Sequence, residues 1–191
     1  MTLTGVLLAG GKSSRYGKPK MFERWRHEPL YMVAVHAFDA QNWPLVIATN
    51  AALRPHFDVP HATFIVEQQP HEGPLYALAQ VMTQVDAAWY FVVAADMPYL
   101  NAAFMQMLAA HITADIDAII PTVNGKWQPL AGLYHRRTLQ QATQALAHNR
   151  RSMRALLDEV RVQFVAIDDA KLFLNINAAA DWPQRDKGDT V

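Results

Sequence analysis

The fold class this sequence predicts is α/β: a mostly parallel sheet packed between two layers of helices in a three-layer α/β/α sandwich. Three observations lead to it. Short apolar runs rich in β-forming residues alternate with amphipathic helical patterns along the chain. The runs are apolar on both faces, and no repeat, low-complexity stretch or linker breaks the order. Parallel neighbours need crossover connections, and strands covered on both faces read as continuous apolar runs.

The elements follow in turn. Val6-Leu7-Leu8-Ala9 reads as a buried strand bounded by Gly10-Gly11, and residues 30–39 carry a helical pattern. Leu45-Val46-Ile47-Ala48 and Thr63-Phe64-Ile65-Val66 are the next strands, with a short helix expected at residues 51–56. Pro74, at a first helical position, leads an amphipathic series of Leu75, Ala79, Met82 and Val85. Trp89-Tyr90-Phe91-Val92-Val93-Ala94 is the strongest strand signal. Asn101 is placed to cap a helix with Phe104, Met107, Leu108 and Ile112 on one side. Strands at 116–123 and 130–134, helices at 138–148 and 152–160, and a last strand at 162–167 complete the pattern. Residues 1–184 read as a single domain and 185–191 as a polar tail. Ligands of such sheets bind at the carboxyl ends of strands, so chemistry is expected after Ala9, Ala48, Val66 and Ala95.

Composition narrows the class. Of the 191 residues 51% are hydrophobic and 18% charged, which supports a large core and excludes a disordered chain. The formal net charge is zero, which gives no argument for a nucleic-acid or membrane partner, so affinity for a phosphorylated ligand must be local. There are no cysteines, which excludes disulfides, zinc–thiolate sites and a cysteine nucleophile. The first apolar run lacks the flanks of a signal peptide, and the longest, residues 87–95, is too short to span a membrane. A soluble cytoplasmic protein is the expectation.

The most informative stretch runs from Leu8 to Lys20. A buried strand leads directly into Gly10-Gly11, Ser13-Ser14 and four cations, Lys12, Arg15, Lys18 and Lys20. Glycines let backbone N–H groups close on an anion, and the cations supply the charge a triphosphate requires. A tight turn with solvated charges is the plainer alternative, and four cations in nine residues weigh against it. A Walker A loop would need glycine at Val6, and the dinucleotide fingerprint Gly-x-Gly-x-x-Gly is missing. The second signal is Asp96, in Ala94-Ala95-Asp96-Met97-Pro98 at the end of the strongest strand. Magnesium takes one or two carboxylates together with substrate phosphates, which suits a carboxylate there. A helix-cap or turn aspartate is the competing role.

Leu8-Ala9-Gly10-Gly11, then Arg15, then Gly17-Lys18-Pro19-Lys20, resembles the opening of molybdenum cofactor guanylyltransferases and their close relatives. Sugar-nucleotide pyrophosphorylases are similar but carry a second Gly-x-Gly where this chain has Lys12, and isoprenoid cytidylyltransferases open on Ala-Ala-Gly. The resemblance covers residues 7–181 and implies a Rossmann-like fold of the nucleotide-diphospho-sugar transferase type. It implies that Leu8, Ala9, Gly10, Gly11, Lys20, Asn50, Glu67 and Asp96 bind the nucleotide, that Asp96 holds Mg²⁺, and that Lys20, Arg15 and Asp96 are catalytic. Capping the next turn is the competing role for Asn50. Gln128-Pro129-Leu130, Asn149-Arg150-Arg151 and Asn175-Ile176-Asn177 resemble acceptor-side segments. They imply Arg150 or Arg151 as phosphate ligands and Asn175 and Asn177 as contacts to a pterin. One departure stands out: the family commonly reads Gly-Pro-Leu-Ala-Gly where this chain has Gly73-Pro74-Leu75-Tyr76-Ala77.

The implied reaction is transfer of GMP from GTP to the phosphate of molybdopterin or the molybdenum cofactor, with release of pyrophosphate. The substrates would be the partners, with proteins of cofactor synthesis or cofactor-accepting enzymes as further ones. A CTP-using relative and a non-catalytic nucleotide-binding module are the alternatives. Retention of both Lys20 and Asp96 argues against the module.

Overall fold

The structure, a computed structural model, describes residues 2–11, 19–69 and 71–176. Its centre is an eight-stranded sheet. The strands are β1 (Leu3–Leu8), β4 (Leu45–Thr49), β5 (Thr63–Val66), β6 (Trp89–Ala94), β7 (Ala118–Val123), β8 (Lys126–Trp127), β9 (Ala131–His135) and β10 (Val162–Ala166). A separate two-stranded hairpin holds β2 (Arg24–Trp25) and β3 (Glu28–Pro29). Across the sheet the order is β10-β7-β9-β6-β1-β4-β5, with β8 paired to β7. β6, β1, β4 and β5 are mutually parallel, and β10 is parallel to β7. β9 runs against both β6 and β7. The sheet is therefore mostly parallel, as expected, with β9 and the β7–β8 hairpin as its antiparallel elements.

Alternation along the strands sorts side chains between two helical layers. Trp89, Phe91 and Val93 pack with Phe38 and Met105 under helices α1 (Met32–Asp39) and α3 (Ala102–Ala109). Tyr90 and Val92 face the other way, against Leu78, Met82 and Leu156. Those residues belong to the layer of α2 (Pro74–Gln84), α4 (Leu139–Ala147) and α5 (Met153–Leu157). Each large side chain buried this way stabilises the fold by about 1.5–3 kcal/mol. Period-2 alternation into two apolar layers explains why the strands read as continuous apolar runs.

Local chemistry sets the helix starts. Asn101 Oδ1 accepts the Phe104 N–H at 2.9 Å, the expected cap of α3. Pro74 opens α2, where its missing N–H has no helical partner to lose. Ser152 Oγ accepts the Ala155 N–H at 3.2 Å to start α5, which is shorter than the 152–160 pattern suggests.

Two expectations need correction. Residues 51–56 form a turn and a single 3₁₀ turn, Arg54–His56, because Asn50 and Pro55 organise the backbone without a helical ladder. On α3 the buried face is Phe104, Met105 and Leu108, while Met107 is 39% exposed and the helix ends before Ile112. At about 100° per residue Met107 points well away from that face. Among the described residues no helix is long and apolar enough to cross a membrane.

Candidate nucleotide and metal site

The chain leaves β1 through α1 on one face and enters β6 from α2 on the other. That reversal opens a crevice at the carboxyl ends of β1 and β6, the place where doubly wound sheets bind ligands. A cleft of about 440 Å³ lies there, with Gly10, Gly11, Lys20, Glu67, Asp96 and Leu130 among its walls. Leu8 lines it as well, whereas Ala9 is buried behind it. Leu130 reaches the same end because β9 runs backwards and starts beside Ala94, whose N–H donates to the Leu130 carbonyl at 3.1 Å.

Neighbouring strand ends hold the glycine turn in place. The Ala9 N–H donates to Ala48 at 2.8 Å, and Thr49 Oγ1 donates to the Ala9 carbonyl at 3.0 Å. Asn50 Nδ2 donates to the Gly10 carbonyl at 3.2 Å, while its Oδ1 accepts the N–H groups of Ala52 and Leu53, each at 3.1 Å. The Asn50 side chain thus fastens the glycine turn and shapes the next one, with its oxygen engaged by backbone. Gly10 lies against Glu67, and a Cβ there would overlap the Glu67 carboxylate. A side chain there would have to push that carboxylate aside. Glu67 is itself buried, which pushes its carboxyl above the ordinary range, and a backbone hydrogen bond from His71 pulls partly back.

Lys20 opens a 3₁₀ turn, Lys20–Phe22, pinned by the Tyr31 N–H donating to the Met21 carbonyl at 3.1 Å. The Phe22 ring packs edge-on against Tyr31 and Phe57. From there Lys20 Nζ reaches Asp96 Oδ2 at 2.6 Å, with the two side chains only 14% and 19% exposed. The Ala95 N–H donates to Leu8 at 3.2 Å, and the Asp96 carbonyl accepts the Ile176 N–H at 3.0 Å, so backbone fixes Asp96 from both sides. Its other carboxylate oxygen, Oδ1, is buried and has no hydrogen-bond partner among the described residues.

A buried acceptor-only oxygen with no donor carries a desolvation cost that a bound cation removes. Asp96 therefore fits a hard divalent ion. No cluster of three or more His, Asp or Glu side chains that could hold a metal occurs among the described residues. A one-carboxylate site is how magnesium is held when substrate phosphates and water complete its shell.

The acceptor-side candidates separate. Arg150 turns to Glu159 Oε1 at 2.9 Å, along α5. Arg151 pairs with Glu72 in the loop between β5 and α2, and its carbonyl packs against Gly73, which lines the cleft. Asn175 is exposed next to Ile176, the residue bonded to Asp96. Arg15 and Asn177 lie outside the described residues, as does the 185–191 tail.

The cleft also has walls that the sequence reading did not single out, Met21 and His71. Met21 adjoins Lys20 and could have been found from it. His71 takes a left-handed φ of 73°, which its residue type does not announce. Of the pair that departs from Gly-Pro-Leu-Ala-Gly, Ala77 lines the cleft, whereas Tyr76 accepts a hydrogen bond from Gln80 at 3.2 Å.

Fold and cleft together define a class: a doubly wound α/β protein with two glycines and a carboxylate in the cleft at its switch point, the layout of a nucleotide-binding domain. Comparison with known proteins carries this to a family. The sequence matches the MobA-like NTP transferase domain over residues 5–164, and the chain belongs to that family of nucleotidyltransferases. It is 27% identical over 190 residues to a probable molybdenum cofactor guanylyltransferase of Bacillus mycoides, covering 96% of this chain and 95% of that one. Its fold resembles the molybdopterin-guanine dinucleotide biosynthesis protein A of Archaeoglobus fulgidus, with TM-score 0.78, 19% identity and 93% and 94% of the two chains covered. It also resembles Rv0371c of Mycobacterium tuberculosis, solved in complex with manganese, with TM-score 0.72, 14% identity and coverage of 95% and 96%.

Proposed function

We propose that this protein transfers GMP from GTP to the terminal phosphate of molybdopterin, or of its molybdenum-bearing form, and releases pyrophosphate. The product is the guanine dinucleotide form of the cofactor, made in the cytoplasm by residues 1–184 acting as one domain. Family membership and the guanylyltransferase relative that matches nearly the whole chain support the reading. The observation that carries it is the Lys20–Asp96 pair in the wall of the cleft that Gly10 and Gly11 also line, with the second Asp96 carboxylate oxygen buried and lacking a hydrogen-bond partner among the described residues.

In this reaction an acceptor phosphate oxygen attacks the α-phosphorus of GTP, and the bond from that phosphorus to the pyrophosphate leaving group breaks. The acceptor is already an anion at neutral pH, so no general base is required. The barrier is the approach of two anions, so catalysis rests on positioning and charge neutralisation. Asp96 Oδ1 would hold Mg²⁺, which when bound neutralises triphosphate charge and polarises the α-phosphoryl group. Lys20 orients Asp96 and offsets charge on the transferring phosphoryl group, with Arg15 adding to it. The amides of Gly10 and Gly11 cradle the triphosphate, and Glu67 contacts ribose or base. Asn50 acts by holding the Gly10 carbonyl. Arg151 and Asn175 face the acceptor.

Pyrophosphate release from GTP, CTP, ATP and UTP, with magnesium and purified molybdopterin, tests this. Release with GTP alone, dependent on the pterin, is the expected result. Release with CTP would keep the chemistry and change the base. No release with any nucleotide would overturn the assignment in favour of a nucleotide-binding module.

A further inference from the structure

An ion pair, Glu72–Arg151, ties a loop that walls the cleft to the turn between α4 and α5. Glu72 sits in the loop that supplies Glu67, His71 and Gly73 to the cleft, and Arg151 in the turn between α4 and α5. The pair is half-open to water, with side chains 26% and 47% exposed, respectively. Its backbone is held on both sides by left-handed residues: His71 at φ 73° and Gly73 at φ 97° flank Glu72, and Asn149 at φ 60° precedes Arg151 by two positions. Asn149 Oδ1 also accepts the Arg151 Nε–H at 2.8 Å, which aims the guanidinium. The neighbouring Arg150 is committed to Glu159 and cannot serve the same place without breaking that pair.

We propose that Glu72 is an internal stand-in for the acceptor phosphate, holding Arg151 beside the cleft-lining Gly73 until an incoming phosphomonoester displaces it. The inference rests on the acceptor reading given above. A guanidinium fork accepts a carboxylate and a phosphate in the same geometry. A phosphomonoester carries between one and two negative charges at neutral pH and three acceptor oxygens, whereas Glu72 offers one charge and two oxygens. A partly exposed Arg–Glu pair is weak, so the phosphate wins the exchange. Glu72 thus keeps Arg151 extended in the free protein and makes acceptor binding selective for an anion strong enough to replace it. It is a positioning residue, acting through Arg151.

Equilibrium binding of molybdopterin, measured anaerobically without GTP, tests the exchange in wild type, Glu72→Gln, Arg151→Gln and the double variant. Removing the competitor should tighten binding about three- to fivefold. Removing Arg151 should weaken it at least about tenfold, and the double variant should match Arg151→Gln alone. In turnover, Glu72→Gln should lower the KM for molybdopterin while moving the KM for GTP less. Weaker binding by Glu72→Gln would mean that Glu72 only props Arg151, and tightening that persists without Arg151 would mean a general charge effect. Either overturns the proposal. A wild-type protein that binds no molybdopterin would instead overturn the acceptor reading itself, and the inference with it.

Discussion

Asp96 and Asp117 occupy opposite ends of the same sheet, one after β6 at its carboxyl edge, the other before β7 at its amino edge. Both side chains are mostly buried, at 19% and 11% exposure. Their surroundings are built differently. Asp117 Oδ2 accepts Arg161 N–H groups from the backbone at 3.0 Å and from Nε at 2.9 Å. Its Oδ1 accepts Arg161 at 3.2 Å and also Arg137. Asp96 has Lys20 on one oxygen and, among the described residues, no partner on the other. The contrast teaches that burial of a carboxylate does not mark a functional site. The saturated one clamps β7, β9 and β10 together, and the one left a donor short is the one proposed to hold a metal ion.

Glu67 belongs with Asp96. Burial raises its carboxyl, so its ionised form is disfavoured in the folded protein, whereas hydrogen bonds from Arg161 hold the Asp117 carboxyl well below the usual range. The signs of the two linkages are opposite. Ionised Asp117 contributes stability that is present above the ordinary carboxylate range and is lost as pH falls toward its lowered value. Glu67 favours the fold at low pH, and that contribution is lost as pH rises through its raised value.

Three substitutions would break or sharpen the comparison. The largest effect is expected for Asp96→Asn, which should lower GMP transfer by on the order of 10²–10³-fold in a steady-state assay while circular dichroism shows the fold retained. Next, Asp117→Ala should cost about 1–2 kcal/mol in denaturant unfolding and flatten the loss of stability in acid, with turnover of the folded fraction kept. The smallest is Glu67→Gln. It should raise the KM for GTP several-fold, by about 1 kcal/mol of lost binding, yet leave thermal stability at pH 8 unchanged or higher. A Glu67→Gln protein that is less stable at pH 8 would move Glu67 to the structural side.

Much of the fold was legible because its signals are local. Strand runs, the Asn101 cap and Pro74 each depend on residues a few positions apart. The two hairpins show where that stops. Asn124-Gly125 has φ of 50° and 73°, the geometry of a two-residue turn that Asn-Gly favours, so the β7–β8 hairpin could have been read. Arg26-His27 takes the same kind of turn, with φ of 49° and 74°, and neither residue type signals it. The direction of β9 was hidden as well, since apolar runs do not encode polarity.

At the site, the glycine turn and Asp96 stood out because a strand end followed by glycines or a carboxylate is a short motif. Their partners did not. The Asn50–Gly10 bond, the Glu67 wall against Gly10 and the Glu72–Arg151 pair join residues far apart in the chain. Only the folded sheet brings them together.

The most direct test of the Asp96 assignment is a Mn²⁺ titration followed by electron paramagnetic resonance, with GTP present, on wild type and Asp96→Asn. Mn²⁺ serves as the probe for Mg²⁺, and the readout needs no turnover. Nucleotide-dependent Mn²⁺ binding in the wild type that weakens at least about tenfold in the variant is the predicted result. Equal Mn²⁺ affinity in the two proteins would contradict the account and return Asp96 to a structural role.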